Sequence, residues 1–127
     1  EMAKLAAERR KENHVIIMDD SLKIMKSNSS SPEALSDADQ AFHQAIIDAS
    51  GNLLFGIMIR SIMVNLHISR QLAIRHFGIE VLIKEHEKIF DAIKNKRPSV
   101  AASCMKEHMV GALKRINQVN KLLNKPE

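Results

Sequence analysis

Asp39 and His43 stand four residues apart, a spacing that brings both side chains off one face of a helix and lets them reach a common point. Their stripe continues through Phe42, Ile46 and Ile47, the residues that must pack inward. His86 lies about a turn from Leu82, Ile83, Ile89 and Phe90, and His108 is flanked at helical spacing by Cys104, Met105 and Ala112. Three segments thus each aim a histidine into a core. A single core histidine is ordinarily structural, hydrogen-bonded to a neighbour. Three imidazoles and a carboxylate buried without partners would cost on the order of several kcal/mol, whereas a divalent cation satisfies them together. This donor set suits Zn, Ni, Mn or Fe(II), and the expected ligands are Asp39, His43, His86 and His108.

Other residues have competing readings. Ser36-Asp37-Ala38-Asp39 has the pattern of a capping box, which would give Asp39 a purely local role. His14, His67 and His76 lack an inward setting and read as solvated or loop-end histidines. The methionines fall at core spacing and read as adaptable filler. Arg60 and Asn65 interrupt an apolar helix; they are candidates for hydrogen-bonding an anionic effector, with exposure at the helix edge as the plainer alternative. No Gly-rich phosphate loop, Cys-x-x-Cys pair or His-Glu-x-x-His motif is present, and Cys104 has no evident base.

The elements that must position these groups are helices. The stretch to about Lys26 has helical composition and an apolar stripe, with Asp19-Asp20-Ser21 as an expected bend or cap. Ser27 to Pro32 reads as a connecting loop. A second helix is expected from about Ser36 to Ala49, stopped by Gly51, with Asn52 capping a third from Leu53 to His76. That third helix is apolar over more than one face, which places it at the centre or at a subunit interface. Gly78 marks a break, a fourth helix runs to about Lys94, and Pro98 opens a fifth that reaches Leu123.

The chain's 127 residues fit one domain. Three Pro, four Gly, four Phe and no Trp or Tyr lack the turn-dense, aromatic-rich profile of a β-sandwich. The expected fold is an all-α antiparallel bundle of about five to seven helices. One cysteine makes no internal disulfide, and the apolar run Leu53 to Ile59 ends at Arg60 well short of a membrane span, so cytoplasmic residence without a membrane is expected. The net charge of +4 is not gathered into a long basic block; Arg9-Arg10-Lys11 is its densest part.

These residues resemble the FCD domain, the C-terminal ligand-sensing domain of the FadR subfamily of GntR transcription regulators. The matching pieces are Leu5-Ala6-Ala7-Glu8-Arg9-Arg10, Asp39-x-x-Phe42-His43-x-x-Ile46, Ala49-Ser50-Gly51-Asn52, Glu85-His86-x-x-Ile89-x-x-Ala92-Ile93 and Ala102-x-x-x-Lys106-x-His108-Met109, which together cover nearly the whole chain. The resemblance implies a divalent metal on Asp39, His43, His86 and His108 beneath a small carboxylate or hydroxy-acid effector. It also implies that DNA is reached only through an N-terminal winged helix-turn-helix that is absent from this chain, while the wide apolar arc of the third helix points to a homodimer. The sequence opens in helical register without a cap, as if begun inside a helix, and Lys96-Arg97-Pro98 departs from the family's usual turn there. The rival readings are a helical metalloenzyme on the same residues and a metal-free dimerisation module.

Overall fold

A computed structural model describes residues 1–27 and 31–124. Seven α-helices and no strand occur among them: α1 (Met2–Arg9), α2 (Glu12–Lys26), α3 (Pro32–Ser50), α4 (Leu53–Asn65), α5 (His67–Phe77), α6 (Glu80–Lys94) and α7 (Pro98–Leu123). The expected all-α class holds, but two of the expected helices are each broken in two.

The first break falls at Arg10-Lys11, not at Asp19-Asp20-Ser21, which lies inside α2. The interruption frees two cations to work elsewhere. Arg9 donates to the Ser50 carbonyl at the end of α3 (2.8 Å), and Arg10 donates to the Lys94 carbonyl at the end of α6 (2.7 Å). Helix C-termini leave carbonyls unpaired and carry partial negative charge, so each arginine satisfies an end twice over. Two of the three residues of the chain's densest basic cluster are therefore engaged at helix ends. His14 also has a local role: its Nδ1 accepts from the Lys11 amide (3.0 Å) at the start of α2.

Helix α3 begins earlier than the Ser36 expectation. Ser31 is its N-cap, accepting from the Ala34 amide, and Pro32 occupies the first turn. Ser36 is instead buried mid-helix, its hydroxyl 3.2 Å from His67 Nδ1, and the capping role of Asp39 falls away with it. Gly51 closes α3 in the left-handed region (φ 71°), and the Asn52 side chain caps α4 as expected. Residues 28–30 of the expected Ser-rich loop lie outside the described residues.

The second break, at Leu66, bends α4 and α5 by 60°. Two anchors on α3 set the bend. Gly56 lets α4 approach Ile47 so closely that a Cβ there would stand 2.6 Å from a side-chain methyl, while His67 ties the start of α5 to Ser36. Among the described residues no single helix is long and apolar enough to cross a membrane, although α4 and α5 taken together meet the length and composition.

The core is shared by α1, α2, α3, α6 and α7: Ala3, Ala6 and Ala7 let α1 in closely beside Met18, Leu22, Met25, Phe42, Ile46, Ile89 and Ile93. A second, smaller cluster joins Ala73 of α5 to Ile116 and Val119 of α7. Helix α4 is not central within this chain. Only Gly56 of it is buried, and Leu53 and Leu54 are more than 70% exposed. At the far end of α6, Lys96 adopts φ 52°, with Lys96 N–H bonded to the Ile93 carbonyl and Arg97 N–H to the Ala92 carbonyl. This is a Schellman closure with lysine where glycine is usual. Arg97 supplies no side-chain cap to α7.

Candidate metal centre

Helices α3, α6 and α7 bring His43, His86 and His108 together, with one ring nitrogen of each within 4.8 Å of the others. Asp39 joins from α3: its Oδ1 lies 2.8 Å from His86 Nε2 and 3.3 Å from His43 Nε2. His43 Nε2 in turn lies 3.4 Å from His108 Nε2. Phe42, fully buried, sets its ring edge-on to His86 with centroids 4.5 Å apart, and so fixes the depth at which the imidazole sits.

The outer partners decide which nitrogens face inward. His86 Nδ1 is 2.7 Å from the Leu82 carbonyl, which can only accept, so this nitrogen carries the proton and a neutral ring presents a bare Nε2. His108 Nδ1 is 3.0 Å from Glu85 Oε1 and is held in the same tautomer. Burial lowers the His108 pKa to about 4, helped by His43 and His86 against the pull of Glu85, and keeps the ring neutral near pH 7. Glu85 is itself gripped by Arg115 through both terminal nitrogens, at 2.5 and 3.4 Å. Burial favours its protonation, but His108 and Arg115 outweigh that and hold Glu85 below its ordinary value. For Asp39, burial likewise pushes upward, His43 is first among the neighbours that pull downward, and the carboxyl stays well below the usual carboxylate range.

Two atoms of this cluster are unsatisfied. His86 Nε2 and Asp39 Oδ1 are both buried, and although only 2.8 Å apart they are not aligned for a hydrogen bond. Close approach of a nitrogen lone pair and a carboxylate oxygen, in a buried setting, is costly without a positive charge between them. Donors bound at about 2.0–2.1 Å to one cation stand roughly 3–3.4 Å apart. The separations of Asp39 from His43 (3.3 Å) and of His43 from His108 (3.4 Å) match this, that of Asp39 from His86 (2.8 Å) is slightly shorter, and the three imidazole nitrogens lie within 4.8 Å of one another. The residues present therefore fit a divalent transition metal, with Glu85 and the Leu82 carbonyl as the outer groups that orient its imidazoles.

The cluster opens onto a cavity of about 350 Å³, whose walls include Asp39, His43, His108, Arg70 and Arg115. Arg70 reaches Asp39 Oδ2 at 3.3 Å, and its Nε is buried without a partner. The expected effector contacts Arg60 and Asn65 do not reach this space: both lie on the exposed side of α4 and neither lines the cavity. They occupy the polar positions of a helix whose other face turns inward, so the cations at the cavity are Arg70 and Arg115. Of the remaining histidines, His76 is exposed, while His67 is not a loop-end residue but is held between Ser36 and Gln71.

Residues 1–111 match the FCD domain family. The chain belongs to the FCD domain family. A curated relative of this FCD domain is the HTH-type transcriptional regulator LutR of Bacillus subtilis (strain 168), 33% identical over 114 residues that make up 85% of this chain. The chain spans about half the length of that relative, 52%.

Three residues of the FCD domain's site escaped the sequence reading. Glu85 adjoins His86 in sequence, and it reaches His108 from the neighbouring position because α6 and α7 pack side by side. A signal existed in Gly111, one turn before Arg115: a Cβ there would stand 3.0 Å from Glu85 Oε2 and 3.1 Å from Arg115 Nη1, so the glycine makes room for the ion pair. Arg70 meets Asp39 across 31 positions of sequence, a pairing that no local pattern announces.

Proposed function

We propose that this FCD domain is the effector-sensing domain of a GntR-type transcription regulator of the FadR subfamily, holding one divalent metal on His43, His86, His108 and Asp39 and taking a carboxylate effector beside it. The observation that carries the reading is the unsatisfied buried pair His86 Nε2 and Asp39 Oδ1, of which Asp39 lines a cavity that also exposes His43, His108, Arg70 and Arg115. Zn, Ni and Mn all suit three imidazoles and a carboxylate.

The chain's own residues have separable parts in this scheme. Glu85 and the Leu82 carbonyl hold protons on the outer nitrogens of His108 and His86. Arg70 and Arg115 carry positive charge to the cavity wall, where a carboxylate can pair with them. A bound divalent cation would supply a further point of attachment for a carboxylate oxygen. The reading is of a sensor and not a catalyst: the carboxylates beside the cluster, Asp39 and Glu85, are engaged by arginine and histidine and none stands free as a base.

Effector binding would act on the regulator by biasing how α4 and α5, which form much of the cavity wall, pack on the rest. Differential packing is what could alter the spacing of two attached DNA-binding domains in a homodimer. The exposed apolar face of α4, with Leu53, Leu54, Ile57 and Met58, supports self-association. DNA contact and cytoplasmic residence belong to the whole regulator under this reading.

Metal analysis of the purified domain, before and after chelation, tests the centre. One equivalent of a divalent transition metal is expected, lost in His86→Ala and His108→Ala and retained in His14→Ala. Removing the metal should lower the melting temperature, because a ligand that binds only the folded state adds to stability: about 4 kcal/mol at a thousandfold excess over Kd. A domain that holds no metal and melts identically in chelator would refute the centre.

A further inference from the structure

The wall of the cavity separates sharply into two chemistries. Its polar side chains are Asp39, His43, Arg70, His108, Arg115 and, outside the cluster, Glu1. Everything else on the wall is aliphatic, aromatic, methionine, alanine or glycine, with Ile46, Ile59, Ile62, Ile74, Phe77 and Leu113 giving the bulk. Among the described residues no Ser, Thr, Asn, Gln or Tyr lines it. A ligand hydroxyl placed away from the metal end would lose its water and find no partner, a penalty that discriminates strongly against polyhydroxy acids.

The charged end calls for an anion. Arg70 pairs with Asp39 and Arg115 with Glu85, so these groups cancel, and a divalent cation would leave its own two charges uncompensated. Arg70 Nε adds a buried N–H without a partner. Size completes the description. A cavity of roughly 150 Å³ accepts benzene, so one of 350 Å³ has room for roughly a dozen non-hydrogen atoms.

From these observations we infer that the effector is a monocarboxylate whose polar atoms are confined to one end, with an aliphatic or aromatic body of roughly eight to ten carbons seated against α4, α5 and α7. The inference rests on the carboxylate-sensor reading and narrows it away from the small hydroxy acids expected from the sequence.

Calorimetry with straight-chain monocarboxylates from propanoate to decanoate, on zinc-loaded and metal-stripped protein, tests it, with gluconate as the polar comparison. On the zinc-loaded domain Kd should fall roughly three- to fourfold per methylene and level off near nine or ten carbons as the space fills. Gluconate should bind no more tightly than propanoate. Ile62→Ser is a suitable variant because Ile62 lines the cavity yet is half exposed, which keeps folding out of question. It should weaken octanoate roughly five- to tenfold and leave propanoate binding and zinc content unchanged. Affinity independent of chain length, or gluconate binding more tightly than octanoate, would overturn the inference while leaving the metal-centred sensor intact. The same chain-length series in metal-stripped protein, at equal affinity, would support the apolar body and overturn the metal's part. No binding of any acid in either form would overturn both.

Discussion

Helices α3 and α4 follow one another in sequence and are both rich in apolar residues, yet they meet opposite fates. Helix α3 buries nine residues on every side that faces a neighbour, including Phe42, Ala45 and Ile46; α4, more apolar throughout, buries one glycine. Composition alone does not decide burial. A helix is buried where its apolar stripe matches the curvature and spacing of its neighbours, and α3 is surrounded by α1, α2 and α5, whereas α4 rests chiefly on α3 through the contact of Gly56 with Ile47. The division is also functional. The groups that fit a metal all come from the firm part, α3, α6 and α7, while α4 and α5 add apolar wall and Arg70. Rigid elements hold donors in place, and a weakly attached pair of helices is free to respond to what fills the space between.

The largest effect separating the two parts should come from matched truncations. Phe42→Ala empties a fully buried site beneath His86 and His43 and should cost about 3–5 kcal/mol. It should also weaken metal retention by letting both rings shift. Leu54→Ala, at a residue 72% exposed, should stay within about 0.5 kcal/mol. Urea unfolding at low protein concentration measures both. Equal losses would mean that the outer face of α4 is covered in solution, and the contrast drawn between the helices would fail.

A second substitution works through the outer partners of the cluster. Glu85→Gln keeps the shape of the side chain but removes the charge that Arg115 grips and the strong acceptor for His108 Nδ1. Metal affinity should fall roughly 10- to 100-fold with the helix content intact. Competition against a chromophoric chelator reads this directly, and unaltered affinity would remove Glu85 from the centre.

The contrast also explains how much could be read from the residues alone. Asp39, His43, His86 and His108 were legible because each lies in an amphipathic stripe whose inward face periodicity identifies, and the firm part is where periodicity and burial coincide. Boundaries failed where a long-range partner overrode local preference. The chain leaves the helical path just after Arg9, where Arg9 and Arg10 reach carbonyls more than forty positions away, and Ser36 gives up capping for His67. The placement of Arg60 and Asn65 away from the cavity was not legible for the same reason in reverse: in a helix apolar on several faces, no stripe says which face turns inward. Arg70, Glu85 and Arg115 pair across separate helices and became visible only when these were packed.

Gly56→Val should produce a smaller and strictly local change. The added side chain must displace the Ile47 methyl, which outweighs the modest gain in helix propensity and loosens α4 by about 1–2 kcal/mol. Amide hydrogen exchange should quicken in α4 while the slowest amides of α2 and α3 keep their rates, since opening of the attached pair is sub-global. Uniform acceleration along the chain would show that α4 is part of the same cooperative unit as the core.

Lys96→Gly should give the smallest effect, and of opposite sign. Lys96 holds φ 52° to complete the closure of α6, a conformation that costs a side-chain-bearing residue about 1 kcal/mol and glycine almost nothing. Part of that gain is returned, because glycine enlarges the entropy of the unfolded chain. A net stabilisation of about 0.5 kcal/mol is therefore expected, seen as a rise of a degree or two in melting temperature. The turn lies between α6 and α7, the two helices that carry His86 and His108, so the gain belongs to the firm part. Exchange should slow at the amides of α6 and α7 that open only with the core, and α4 should be unaffected. If α4 slowed by the same factor, its opening would be coupled to that of the helices carrying His86 and His108, and the two parts would have to be treated as one.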